Sequence, residues 1–356
     1  MASDGQVMTA GAAAPGGAMN RSSDEEQTMS APSGSPCAIV FGGAGFIGTH
    51  LMRHLLATGR HGRVVSVDIR EPKQRVDGVE YLIGDVRRPI DLPGPVEGAE
   101  IYNLAAVHTT PGHEDWEYFW TNVLGATNVC DYAKKIGCTY LLFTASISVY
   151  GPTEEPVDEA SEPAPNSAYG RSKLQAEGIH RSWLDNGADR RLVVVRPAVI
   201  FGPGEGGNFT RLAALLAKGR FIYPGRRDTI KSCGYVGELV RSMEFARGLG
   251  RREFTYNFAY PDRTTTEDIC RAFSEVAGFA MPKYLVPLPV MSAAGLGFEM
   301  LSAVGLKTSV NRARMRKLVH STNILPTALV EAGYQYQGSL KDALADWKMA
   351  SRGTFL

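Results

Sequence analysis

One segment constrains the fold of this chain more than any other: AIVFGGAGFIGTHLMRHLLATG, residues 38–59. Ala38–Phe41 reads as a buried strand. Three glycines follow, Gly42, Gly45 and Gly48, and Leu51, Leu55 and Leu56 then fall on one helical face. Strand, glycine turn and amphipathic helix in that order form a cradle for a dinucleotide pyrophosphate. Gly42 permits the tight turn, Gly45 lets the backbone approach the phosphates, and Gly48 lets helix and strand pack closely. The helix N-terminus adds N–H groups and a partial positive charge. Asp68 ends the next β-branched run, RVVSVD, 20 residues after Gly48. A carboxylate there accepts hydrogen bonds from the adenine-ribose hydroxyls and repels a 2′-phosphate, which favours NAD over NADP. Arg70, two residues on, is the residue that could instead meet such a phosphate.

The same alternation continues. Between Cys37 and Pro197 the runs CAIVF, RVVSVD, VEYLIG, EIYNLAA, TYLLFTAS and RLVVVRP are separated by helix-length segments. That pattern predicts a parallel sheet with helices on both faces. After Pro203 it loosens into helices and short strands, which predicts a smaller second lobe. The expected division is a disordered tail over 1–36, a dinucleotide-binding domain over 37–200, and a mainly substrate-binding lobe over 201–356. The tail is built from Ala, Gly, Ser, Pro, Met and acidic residues and cannot bury enough surface to offset its ordering entropy. It lacks the apolar run after a basic start that a secretory signal needs. Without it 320 of the 356 residues remain, enough for one unit with a built-in lobe.

Charge and cysteine usage narrow the classes. Lys plus Arg is 38 and Asp plus Glu 37, so the formal charge is +1, which argues against a dedicated nucleic-acid binder. It leaves open an anion held by backbone N–H groups. The five cysteines, Cys37, Cys130, Cys138, Cys233 and Cys270, are odd in number and show no C-x-x-C pair. A reducing, cytoplasmic setting fits them better than a disulfide framework. No histidine pair has metal-site spacing, so no metal is expected. Leu285–Leu306 is largely apolar, but prolines at its start, three internal glycines and Glu299 argue for a buried or amphipathic segment rather than a membrane span. The basic run after it (Lys307, Arg312, Arg314, Arg316, Lys317) is the one feature that would suit peripheral membrane contact.

Tyr169 and Lys173 stand four residues apart in NSAYGRSKLQAEGIH, on one face of a predicted helix. A tyrosine hydroxyl titrates near about 10, too high for a base at neutral pH. A nearby ammonium favours the phenolate and lowers that value. Ser146 lies upstream in FTASISVYG, at the end of a predicted buried strand. Its hydroxyl can bond a substrate oxygen that is becoming a carbonyl.

Gly42/Gly45/Gly48, Asp68, GDV at 84–86, NLAA at 103–106, TNVLG around Asn122, SISVYG, Y-x-x-x-K and RPAVIFGPG occur in this order. Together they resemble the extended short-chain dehydrogenase/reductases, and within them the nucleotide-sugar epimerase/dehydratase branch to which the UDP-glucose 4-epimerases belong. The resemblance spans about residues 37–350. It implies a Rossmann-type doubly wound sheet with a smaller C-terminal α/β substrate lobe, and NAD as cofactor. Gly42, Gly45, Phe46, Ile47, Gly48 and Asp68 would cradle it. Asp85 and Val86 would contact the adenine, and Leu104, Ala105 and Ala106 would line the dinucleotide path. Tyr169, Lys173 and Pro197 would also contact it, Lys173 at the nicotinamide ribose. Ser146, Tyr169 and Lys173 would be the catalytic triad, with Asn122 helping to hold the lysine.

On the substrate side the resemblance implies His108, Ser146, Ser148, Asn208, Lys231 and Arg312. Lys231 stands where the family has a phosphate-binding Arg, and Glu238 where it has Asp. The 4,6-dehydratases of the branch carry Asp-Glu after the catalytic hydroxyl residue, and here Ile147 and Ser148 stand there, which disfavours dehydration. Epimerisation at C4 of a nucleoside-diphosphate sugar is the expected reaction. Net reduction or oxidation of a keto sugar, a sterol-like alcohol or another small carbonyl uses the same triad and stays open. A non-enzymatic NAD-binding scaffold would not need both Tyr169 and Lys173. A homodimer is implied, with Trp116–Lys135 and Ala168–Asp185 as its candidate helices.

Overall fold

In a computed structural model of the chain, the described residues are 36–109, 112–287, 289–290 and 319–356. The tail over 1–35, Arg312, and most of Leu285–Leu306 with the basic run after it lie outside the described residues.

The main sheet is built from β1 (Cys37–Phe41), β2 (Arg63–Asp68), β3 (Val79–Ile83), β4 (Glu100–Asn103) and β5 (Tyr140–Thr144), with two strands from later in the chain. The six β-branched runs read from the sequence supply six of its seven strands. Short β6 (Thr153–Val157) lies outside it, β7 (Arg191–Pro197) follows inside it, and short strands β8 (Val199–Phe201), β9 (Tyr223–Pro224) and β10 (Cys233–Tyr235) again lie outside. β11 (Glu253–Phe258) completes it in the order β11-β7-β5-β4-β1-β2-β3, with every pair parallel. β1, β5 and most of β7 are buried throughout, because a parallel sheet is covered on both faces.

Helices α1 (Phe46–Ala57), α2 (Asp115–Phe119), α3 (Gly125–Lys135), α4 (Ala168–Asp185), α5 (Asn208–Ala217), α6 (Val236–Gly248) and α7 (Thr266–Ala277) complete the layers. One face of the sheet packs Ile39, Phe41, Leu141 and Val194 against Val129, Ala133, Ala176 and Trp183 of α3 and α4. The other packs Val40, Val64, Leu142 and Val195 against Leu51 and Leu55 of α1 and Leu239 and Met243 of α6. Strand order reverses between β1 and β4, so their C-terminal ends open a crevice where α/β proteins bind ligands.

α6 and β11 belong to the main sheet although they lie within 201–356. The looser pattern after Pro203 assigns that segment mainly to a second lobe, and β11 departs from it by joining the main sheet. The period-2 pattern of EFTYNF places Phe254, Tyr256 and Phe258 on one buried face of the edge strand. A second core joins Phe201, Phe209, Tyr223, Phe273, Leu344 and Trp347. It includes α5, α7 and the C-terminal helix, Leu340–Ala350. β12 (Leu285–Val286) pairs with β9, and β13 (Thr322–Ile324) pairs in parallel with β6.

At the N-terminal end of β4, far from the crevice, Glu100 joins the sheet to α6. Its carboxylate accepts from Arg247 Nε at 2.9 Å, from the Tyr102 hydroxyl at 3.1 Å, and lies 3.0 Å from His61 Nε2. Burial alone would raise the Glu100 carboxyl, but the bonds from His61 and Arg247 outweigh it and hold it at about 2. A depressed carboxyl stabilises the fold above its unfolded value and loses that contribution as pH falls through the folded one. Glu100→Gln is therefore expected to cost about 3 kcal/mol at pH 7 and to flatten the loss of stability from about pH 4.5 down to about 2, as read by denaturant melts across that range.

Candidate active site

The crevice begins at the glycine turn. Gly42 adopts φ +79, and a Cβ there would come within 2.7 Å of the Ala105 nitrogen. Its N–H donates to the Val67 carbonyl at 2.8 Å. A Cβ on Gly48 would come within 2.7 Å of both the Gly42 oxygen and the Gly43 Cα, so α1 rests directly on the turn. A Cβ on Gly45 would meet only the Gly42 oxygen, at 3.2 Å, so its other side is open. Gly45 is the N-cap of α1 and has no side chain to cap it, so the helix start offers its N–H groups to the crevice. Phe46 and Ile47 form the first turn of α1. Asp68 accepts from the Ala44 N–H at 3.1 Å and the Arg70 N–H at 3.3 Å, which fixes its carboxylate beside the loop.

Leu104, Ala105 and Ala106 leave β4 alongside Gly42, with the Leu104 N–H on the Phe41 carbonyl at 2.9 Å. Asp85 is gripped by the Arg87 guanidinium at 2.7–3.0 Å, and that bond holds its carboxyl below the usual range. Val86 is buried under Gly125 of α3 and passes its carbonyl to Asn128 at 2.7 Å. Pro197 is buried at the end of β7, opposite Phe258 of β11.

Beside the glycine turn the structure brings Ser146, Tyr169 and Lys173 together. Ser146 follows β5 and caps a short 3₁₀ turn, accepting from the Ser148 N–H at 3.1 Å. Its hydroxyl also donates to the Ser148 hydroxyl at 3.2 Å. α4 starts at a serine cap, Ser167, whose hydroxyl accepts from the Gly170 N–H, and this sets Tyr169 in the first turn. The Ser146 hydroxyl lies near enough to the Tyr169 phenol to act on it. Burial pushes the Tyr169 phenol up, the Ser146 hydroxyl pulls it down, and Tyr118, its ring 6.1 Å away, adds to the rise.

Lys173 is buried. Its Nζ donates to the Thr144 carbonyl at 2.6 Å and lies 4.7 Å from the Phe143 ring centre. Burial lowers its ammonium to about 7, while Glu177, one turn along α4, works the other way. In this geometry the Lys173 ammonium is held on the carbonyl at the end of β5.

Asn122 hydrogen-bonds next to the lysine rather than to it. It sits in a π-helical turn, Trp120–Leu124, between α2 and α3. Its amide brackets the Val107 backbone at 2.9 and 3.1 Å and donates to the Ser172 hydroxyl at 2.9 Å, so it holds α4 one residue before Lys173.

Four contributors escaped the sequence reading. Thr144 offers a backbone carbonyl, which any residue type supplies. Phe143 is one of several apolar residues in a buried strand. Glu177 and His180 sit on the face of α4 defined by Tyr169 and Lys173, and that spacing was the available signal. His180 stacks on Phe143 with centroids 4.1 Å apart and bonds the Ala176 carbonyl through Nδ1 at 2.7 Å. Burial drops its imidazolium to about 3, so it is a neutral ring that leaves Asn103 to donate to Nε2 at 3.2 Å.

The expected substrate-side residues come from several elements. Ser148 adjoins Ser146. His108 lies on the stretch after β4, where burial and then the Lys173 charge lower its imidazole. Asn208 starts α5 and accepts from Arg211 at 2.8 Å, while the Glu205 carboxylate caps that helix through the Thr210 N–H at 3.0 Å. Lys231 Nζ donates to the His320 carbonyl at 2.7 Å, and burial lowers it to about 8. Glu238 is buried and joins α6 to the Tyr334 hydroxyl at 2.6 Å and the Gln337 N–H at 2.9 Å. Arg312 lies outside the described residues. Among the described residues no group of three His, Cys, Asp or Glu side chains is placed to hold a metal, and no helix is long and apolar enough to cross a membrane.

A doubly wound sheet, a glycine turn at its switch point and a Ser–Tyr–Lys set beside it define a dinucleotide-fold protein of the dehydrogenase type. Residues 38–257 match the model of the NAD dependent epimerase/dehydratase family, and the chain belongs to that family. It is 27% identical over 310 residues to the N-acetyl-alpha-D-glucosaminyl-diphospho-ditrans,octacis-undecaprenol 4-epimerase of Escherichia coli O157:H7, covering 86% of this chain and 92% of that one. It is 25% identical over 321 residues to a putative dihydroflavonol 4-reductase of Synechocystis, covering 87% and 93%. Among solved structures, MoeE5 in complex with UDP-glucuronic acid and NAD superposes with a TM-score of 0.68 at 22% identity, over 88% of this chain and 99% of that one.

The packing of α1 on the glycine turn yields a direct test. Gly48→Ala places its methyl group against backbone atoms that cannot rotate away. It is expected to destabilise the protein by about 1–3 kcal/mol, read as a lowered thermal midpoint.

Proposed function

We propose that this protein is an NAD-dependent epimerase that inverts C4 of a nucleoside-diphosphate sugar through a 4-keto intermediate. The carrying observation is that Lys173 reaches the end of β5, two residues before Ser146, with Tyr169 one turn back on the same helix. The glycine turn supports the cofactor reading, since Cβ atoms would fill the cradle at Gly42 and Gly48 while Gly45 stays open to a pyrophosphate. Asp68, fixed beside that loop, supports NAD over NADP.

The chemistry that NAD supplies when bound is reversible acceptance of hydride. Tyr169 exchanges the proton of the C4 hydroxyl. Its phenol is raised by burial, so it acts as a base only when positive charge is brought near. Lys173 carries that charge on the same helix face and needs only to shift from the Thr144 carbonyl. Ser146 bonds the developing C4 carbonyl. Ile147 and Ser148 offer no acid for dehydration. The proposed reaction is redox-neutral overall, so no external redox partner would be required.

Asn208 and Lys231 are the proposed diphosphate contacts, and the second lobe is the proposed substrate lobe. The proposed assembly is a homodimer across α2, α3 and α4. Trp116, Trp120 and Leu124 recur every four residues along that face and stay exposed.

A second reading keeps the C4 chemistry and changes the carrier. The Escherichia coli relative is named for a sugar diphosphate on undecaprenol, and the apolar Leu285–Leu306 run with basic residues after it would suit a lipid carrier. Assays of UDP-hexoses against a polyprenyl-diphosphate sugar separate the two. Tyr169→Phe is expected to cut turnover by at least about 100-fold while NAD still binds in a fluorescence titration. Wild-type turnover without net NADH change supports epimerisation. Stoichiometric NADH formation or consumption would replace it with a dehydrogenase or reductase.

A further inference from the structure

Behind the site lies a buried charge network that the proposed chemistry does not use. Glu177 is fully buried on α4, one turn beyond Lys173. Arg196, at the C-terminal end of β7, is 4% exposed and grips both its oxygens, Nε to Oε1 at 2.8 Å and Nη2 to Oε2 at 2.7 Å. The third arm of the guanidinium, Nη1, donates to the Tyr150 hydroxyl at 2.6 Å. Tyr150 passes its own proton to Asn257 Oδ1 at 3.0 Å. Tyr150 ends the 3₁₀ turn that Ser146 begins, and Asn257 is the register partner of Arg196 across β7 and β11.

We propose that Arg196 is a positioning residue that locks the turn carrying Ser146 to the helix carrying Tyr169 and Lys173. The inference rests on the site reading above. The sheet supplies the geometry. Ala145 donates to the Val195 carbonyl at 2.7 Å, so the chain leaving β5 runs beside the end of β7. One planar guanidinium then reaches helix and turn together, which only a fork with several fixed donors can do. Removing Glu177 would leave a buried cation without its carboxylate and strongly destabilise the fold, so the carboxylate is the wrong partner to test. Arg181 also touches Glu177, at 3.2 Å, and keeps that carboxylate partly paired when Arg196 is changed.

Two mild variants separate positioning from folding. Arg196→Lys keeps a charge for Glu177 but cannot hold Tyr150 as well. Tyr150→Phe keeps the ring, whose centre is 5.1 Å from the guanidinium carbon, and removes only the hydroxyl. Each is expected to lower kcat by about tenfold with KM and NAD affinity unchanged, the signature of a misplaced reacting group. The double variant is expected to lose no more than the single ones, because both break one link. Lowered thermal midpoints with unchanged kcat in both variants would overturn the proposal and leave Arg196 as ordinary core. If Tyr169→Phe retains turnover, the site reading fails instead, so the two failures are distinguishable.

Discussion

The fold turns on a place where two backbones touch. At Gly42 and Gly48 the first strand, the turn and the first helix come closer than any side chain permits. That contact sets the angle at which α1 leaves the sheet and keeps the helix start uncapped. Strand order reverses beside it, so the crevice opens at the same point. Asp68 is fixed by the Ala44 N–H of this turn, and the stretch after β4 is fixed by the Phe41 carbonyl.

On the opposite wall the controlling quantity is buried charge. Lys173, Glu177, Arg196 and His180 all lie in the dry layer between α4 and the sheet. Each is handled differently. Burial lowers the lysine towards neutrality, the arginine and glutamate pair with each other, and the histidine gives up its charge. One poised ammonium next to a fully compensated pair can change partners cheaply, because its neighbours need no further charge. A carbonyl acceptor such as Thr144 can be given up by a group titrating near neutrality at modest cost.

Much of this was legible in the residue pattern. Six of the seven main strands, the glycine turn and the helix bearing Tyr169 and Lys173 follow from periodicity and spacing. These are local signals, set by burial on both sheet faces and by one helical turn. β11 was not read as part of the main sheet, because an alternating EFTYNF segment does not say which sheet it joins. The Thr144 carbonyl was invisible, since backbone groups leave no mark in residue identity. Asn122 reaches the lysine's helix through Ser172, and the Val107 backbone besides, from a π turn that helical periodicity does not anticipate.

The pairing of β6 with β13 has a consequence for how the molecule is made. Glu154 accepts from the Ser321 N–H at 3.0 Å, Glu159 from the Ala328 N–H at 3.1 Å, and Asn257 donates to the Leu325 carbonyl at 3.0 Å. The first two bonds clasp the segment just after the Ser146 turn and the third ties β11 to the same C-terminal stretch, joining residues up to 169 positions apart. On the ribosome the seven-stranded sheet can close once β11 has emerged, while the far side of the candidate site still lacks its clasp. Completion waits for two segments up to 169 positions apart to meet, so the entropy of closing that long loop falls on the clasp beside the site and not on the sheet.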